Sequence, residues 1–250
     1  MTDPMLDPIH SAVRDHYAGI ARAQQSSDAC CASGCCNTLY AGDLLADLPD
    51  SVTGLSLGCG DPVSLADIRA GDTVLDLGSG GGIDCFLAAK RTGPSGHVIG
   101  VDMTDEMLAQ ARLNAAKLHA DNVEFRRGQI EALPVADGAV AVVLSNCVIN
   151  LSPEKPRVFR EMYRVLKPGG RVAVSDIVTN GPRLPLVSDD LESWAACVAG
   201  ALPAAEYRAG LEAAGFVEVE IVPKDNPTNA QLAKIPAGMP FSAMISARKP

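Results

Sequence analysis

The segment "TVLDLGSGGGIDC", residues 73–85, limits what this chain can fold into more than any other stretch. A short apolar run ends in Gly78, and a helical pattern starts directly after Gly82. Glycines let the backbone turn tightly and approach a ligand closely, so the segment predicts a strand, a ligand-cradling turn and a helix. Taken alone the signal is weak, because dehydrogenases and many other proteins share it, and a plain tight strand-helix turn is the lesser alternative.

The pattern that follows alternates. "HVIGVD", "VEFRRG", "AVAVVLSN" and "RVAVSDIV" read as strands, separated by helical stretches at 83–92, 105–120 and 154–166. "VEVEIV" and "FSAMISAR" close the chain as strands, with no clear helix between them and a mostly helical stretch at 189–214 before them. Apolar strands alternating with helices predict an α/β fold. The sheet is mostly parallel and seven-stranded, with helices on both faces and an antiparallel C-terminal edge. Before it stand an N-terminal helix near 5–25 and a short helical piece near 42–50.

Eight cysteines, at 30, 31, 35, 36, 59, 85, 147 and 197, need a reason. The N-terminus has no apolar core of a signal peptide, and no apolar run reaches the roughly 18 residues of a membrane span. Reduced thiols for chemistry or soft-ion binding, in a cytoplasmic protein, are therefore the expectation rather than a secreted disulfide scaffold. Net charge of −9 and 4% aromatic content argue against a nucleic-acid partner. Cys147 ends the fourth strand, where an open parallel sheet binds its ligands. Cys59 stands between two glycines on a loop expected to move, and Cys197 lies in the helical stretch after the fifth strand. Three thiols from three segments suit a soft, trigonal-pyramidal ion. Cys85 reads as a small buried apolar residue. The "CCASGCC" cluster leaves three readings open: metalloid capture, no essential role, or a structural metal or disulfide. Trp194 is equally a pocket wall or a packing residue.

Asp76 lies near the end of the first strand and Asp102 ends the second, where a carboxylate can accept hydrogen bonds from a ribose. Together with "GQIEALPVADGAVAVVLSN" and "YRVLKPGGRVAVSD", these features resemble the Rossmann-like class I S-adenosylmethionine-dependent methyltransferases, over roughly residues 65–222. The resemblance implies S-adenosylmethionine as cofactor, held by Asp76, Gly78, Ser79, Gly80, Gly82, Asp102, Met103, Gln129, Ile130, Glu131 and Asn146. Asp102 would take the ribose, and 129–131 would lie beside the adenine.

"GCG", "GSGGGIDC", "SNCVINL" and "WAACVAGAL" further resemble the arsenite methyltransferases, from about residue 10 to 222. That resemblance makes Cys59, Cys147 and Cys197 the arsenic-binding thiols. It implies arsenite and methylarsenite as substrates, arsenic detoxification as the role, and a thiol reductant such as glutathione or thioredoxin as partner. It also divides the chain into a cysteine-rich cap at 1–65, a cofactor-binding core at 66–180, and an arsenic-site helix with closing strands at 181–250. The sequence departs from the pattern at Leu57, where animal and algal members tend to carry tyrosine, and at Ile83, where many carry arginine. It has no cysteine after Cys197. Two other readings compete: a methyltransferase of an organic acceptor such as a quinone or sterol precursor, and a non-catalytic thiol protein that binds metalloids.

Overall fold

The computed structural model describes residues 8–26, 40, 45, 48–55, 58–182, 194, 199–225 and 227–250. Cys30, Cys31, Cys35, Cys36, Leu57 and Cys197 lie outside these, as do much of 42–50 and part of 189–214.

Helix α1 (Pro8–Ser26) carries Ile9, Val13, Tyr17, Ile20 and Ala21 at helical spacing, and buries Val13 and Ala21. Among the described residues two one-turn helices follow, α2 (Asp50–Thr53) and α3 (Pro62–Leu65). Asp61 caps α3 by accepting the Ser64 amide at 2.9 Å. The alternating part then runs β1 (Thr73–Leu77), α4 (Ile83–Thr92), β2 (His97–Asp102), α5 (Asp105–Leu118), β3 (Val123–Arg127) and β4 (Val140–Asn146). A 3₁₀ turn (Ile149–Leu151), α6 (Lys155–Val165), β5 (Leu166–Thr179), β6 (Leu202–Pro203) and α7 (Ala204–Ala213) come next. The chain closes with β7 (Val217–Pro223), α8 (Asn229–Leu232) and β8 (Pro240–Arg248).

The sheet order is β3-β2-β1-β4-β5-β8-β7, with β6 beside β5. Strands β1 to β5 pair in parallel, while β8 runs antiparallel between β5 and β7. Seven of these strands match the reading from sequence. The eighth, β6, is a bridge of two residues against Val178 and Thr179, too short to carry a period. Strand β5 also begins earlier than "RVAVSDIV". Lys249 lies alongside the glycine pair there, with Gly169 N donating to Lys249 O and Lys249 N to Gly170 O, both at 2.9 Å.

The strands are apolar because both faces are covered. Along β1 the side chains alternate: Leu75 and Leu77 join Phe159, Met162 and Tyr207 on one face, and Val74 joins Phe86, Leu87 and Leu108 on the other. Each fully buried Leu or Phe adds roughly 1.5–3 kcal/mol to this packing. The two layers leave the carboxyl ends of the strands as the place where loops meet. Among the described residues, no helix is long and apolar enough to cross a membrane.

Candidate active site

Strand order reverses at β1 and β4, with β2 outside one and β5 outside the other. Their carboxyl ends therefore part the loops above them, which is where open α/β sheets bind ligands. A cleft of about 930 Å³ opens at this point. Its walls are the glycine turn after β1, Asp102–Thr104 after β2, Gly128–Glu131 after β3 and Asn146–Val148 after β4. His10, Val13 and Tyr17 of α1 line it from the N-terminal segment.

The glycine turn is shaped by two needs. Gly78, with φ +67°, passes so close to Val148 that a Cβ there would overlap its side chain. Gly80, with φ +50°, faces open space. Asp102 ties this turn to β2, accepting Gly80 N on Oδ2 at 2.9 Å and Thr104 N on Oδ1 at 2.8 Å. Burial pushes the Asp102 carboxyl up from its usual value, and these amide donors oppose that. Ser79 Oγ is buried without a partner among the described residues.

Gly78, Ser79, Gly80, Asp102, Met103, Gln129, Ile130, Glu131 and Asn146 all line the cleft. Asp76 and Gly82 do not. Asp76 lies beneath the turn, where Cys85 Sγ donates to its Oδ2 at 3.3 Å. Burial, with Asp84 nearby, holds the Asp76 carboxyl well above the usual range. Burial likewise pushes the Cys85 thiol well up, so this cysteine stays a protonated packing residue. The open space at Gly80, the orphaned Ser79 hydroxyl and the acceptors at Asp102 and Glu131 fit S-adenosylmethionine, which carries a ribose and an amino-bearing base.

The sulfur side of the cleft explains the glycines on either side of Cys59. Cys59 and Cys147 are joined as a disulfide, with Cα atoms 6.0 Å apart, so their two sulfurs occupy one place. Cys147 holds φ +58°, an unusual backbone for a residue with a side chain, and its amide donates to Ser175 O at 2.8 Å. The flanking glycines follow from close approach. A Cβ on Gly58 would overlap the Asn146 amide, and one on Gly60 would overlap Ser175 Oγ.

The Cys59 loop is tied down by the Asn146 side chain in this disulfide form. Asn146 Oδ1 accepts Cys59 N at 2.9 Å and Gly60 N at 3.3 Å, while its Nδ2 donates to Gly60 O at 2.9 Å. The Cys59 sulfur also lies 3.6 Å from Ser175 Oγ. Asn146 Nδ2 further reaches Asp84 Oδ2 and Tyr40 Oη, each at 3.1 Å, and Tyr40 Oη donates to Asp84 Oδ1 at 2.9 Å. Burial raises the Asp84 carboxyl to about 7 despite the Asn146 and Tyr40 hydrogen bonds.

Trp194, three positions before Cys197, packs against the cluster of Val13, Cys147 and Leu151, as Cys59 also does, and its indole N–H donates to Leu151 O at 2.9 Å. Among the described residues, no group of three or more His, Cys, Asp or Glu is arranged to hold a metal ion. Cys197 itself is outside them.

His10, Tyr40, Asp84, Ser152 and Ser175 were not singled out from the sequence for the site. Only Asp84 and Ser175 had a local signal, since both sit inside stretches already read as cleft-forming.

The methyltransferase domain model matches residues 68–225. The arsenite methyltransferase of Halobacterium salinarum is 51% identical over 86% of this chain and 59% of its own length. That of Aquipseudomonas alcaligenes is 37% identical over 90% and 68%. The crystal structure of an arsenic(III) S-adenosylmethionine methyltransferase from Chlamydomonas reinhardtii superposes with a TM-score of 0.67 at 35% identity, covering 82% of this chain and 71% of that one. The chain thus spans about six-tenths to two-thirds of the length of these curated relatives. On these matches the chain belongs to the arsenite methyltransferase family, within the methyltransferase domain fold.

Proposed function

We propose that the chain methylates trivalent arsenic, first arsenite and then methylarsenite, with the arsenic held by the thiolates of Cys59, Cys147 and Cys197. The observation that carries this reading is the meeting of the Cys59 and Cys147 sulfurs at the switch point, beside the glycine turn. S-adenosylmethionine, when bound along Gly78–Gly80, Asp102 and Glu131, supplies the methyl group. Arsenic bound by sulfur keeps a lone pair, and that pair is the nucleophile. Accepting the methyl cation makes the arsenic pentavalent, and two thiols closing to a disulfide return the two electrons that give trivalent methylarsenite.

The work of the chain is reduction, capture and placement. A thiol such as glutathione opens the disulfide, two reductant thiols becoming one disulfide as Cys59 and Cys147 gain their protons. Each cysteine then replaces one hydroxyl of arsenite, its proton leaving with that hydroxyl as water. Asn146 and Ser175 hold the Cys59 loop in place during this exchange, and α1 with Leu151 and Trp194 gives the sulfur side an apolar wall. Positioning of this kind can supply roughly 7–11 kcal/mol in well-oriented systems. Trp194, three positions before Cys197, packs against the apolar cluster that contains Cys147, which supports Cys197 as the third thiolate. Such a reaction suits arsenic detoxification in a reducing cytoplasm.

The test is speciation of arsenic after incubating the protein with arsenite, glutathione and S-adenosylmethionine. Methylated arsenic should form in step with S-adenosylhomocysteine, and omitting the reductant should stop it within about one turnover. Unchanged arsenite after full cofactor incubation would overturn the proposal in favour of an organic acceptor or of binding alone.

A further inference from the structure

His10 Nε2 lies 2.9 Å from Glu131 Oε1, and Ser152 Oγ donates to that same oxygen. All three side chains are buried and line the cleft. Both partners fall on Oε1, so Oε2 is left without a side-chain partner among the described residues.

A carboxylate turns readily about its last bond, whose preferences are broad. Two donors on one oxygen remove that freedom and fix where the other oxygen points. Burial alone would raise the Glu131 carboxyl, but the hydrogen bonds from His10 and then Ser152 bring it below its usual value. It therefore stays an acceptor. We propose that His10 is a cofactor-positioning residue: with Ser152 it pins Glu131 so that Oε2 selects a base bearing an amino group. The inference rests on the reading of Glu131 beside the purine. Adenine offers a 6-amino donor there, while hypoxanthine offers a carbonyl oxygen that would face a carboxylate oxygen. A charge-assisted hydrogen bond made in one case and a repulsion in the other separate the two bases by about a hundredfold.

The experiment is calorimetric binding of S-adenosylhomocysteine and S-inosylhomocysteine to the wild type, Glu131→Gln, His10→Ala, His10→Gln and Ser152→Ala. The wild type should prefer the adenine ligand by about a hundredfold, and Glu131→Gln should lose most of that preference. His10→Ala should lower it at least about tenfold, and His10→Gln, which keeps an N–H donor, should recover part of it. Ser152→Ala should act in the same direction and serves if His10→Ala does not fold. In turnover, His10→Ala should raise KM for the cofactor with kcat within about twofold, the mark of lost binding common to ground and transition states. A wild-type preference in both His10→Ala and Ser152→Ala, even with both ligands weakened, would overturn the inference and reduce the contact to docking of α1. A preference retained also in Glu131→Gln would remove Glu131 from the base site, and the inference with it.

Discussion

Cys147→Ser is expected to abolish methylation of both arsenite and methylarsenite, by more than about a thousandfold, or ~4 kcal/mol of transition-state stabilisation. Cys147 is held firmly by the fold. It follows β4 directly, its amide is anchored to Ser175 O, and its left-handed backbone sets the direction of the side chain. A serine hydroxyl is a hard donor that stays protonated at neutral pH, so it cannot stand in for a soft thiolate. The substitution changes little in size, so the reduced variant should fold and should bind S-adenosylhomocysteine within a few-fold of the wild type. Comparison under reducing conditions removes the effect of the lost disulfide. Retention of more than about a tenth of the arsenite activity would take Cys147 out of the arsenic site.

Asp102→Ala should weaken S-adenosylhomocysteine binding by about a hundredfold or more in calorimetry. The carboxylate does two things at once. It would accept from the ribose, and it already accepts the amides of Gly80 and Thr104. Removing it leaves two amides at the cleft wall without their acceptor, each costing about 1–3 kcal/mol, and releases the glycine turn from β2. Asp102→Asn should be milder, because one amide oxygen remains to accept, although its NH₂ group faces a donor. Equal affinity in the alanine variant would show that the cofactor does not use this end of the cleft.

What the sequence made legible was set by local pattern. The run from Thr73 to Leu77 into glycines gave the first strand, its turn and the cleft above it, because backbone torsion and apolar period are written in adjacent residues. Cys147 could be placed at the cleft from its position after a buried strand alone. The meaning of "GCG" could not. Its glycines answer to Asn146 and Ser175, more than 80 positions away, whose approach exists only once β4 and β5 pair. The same holds for Tyr40 with Asp84 and Asn146, and for His10 with Glu131, 121 residues apart. Isolated polar residues on an N-terminal helix carry no period that points to such a partner. Asp76, whose place near a strand end suggests a ligand, sits below the turn, hydrogen-bonded to Cys85. Strand β5 extends further toward its N-terminus than its apolar run because its glycines, which usually mark a turn, pair here with Lys249 at the sheet's end.

The central claim is that sulfur of this chain holds the arsenic to be methylated, and X-ray absorption at the arsenic edge tests it most directly. The reduced protein is loaded with one equivalent of arsenite, and its arsenic shell is compared with those of Cys59→Ser and Cys147→Ser. The account predicts an all-sulfur shell of three neighbours in the wild type, with oxygen replacing one sulfur in each variant. An oxygen shell in the wild type, or a sulfur shell unchanged by both substitutions, would contradict it.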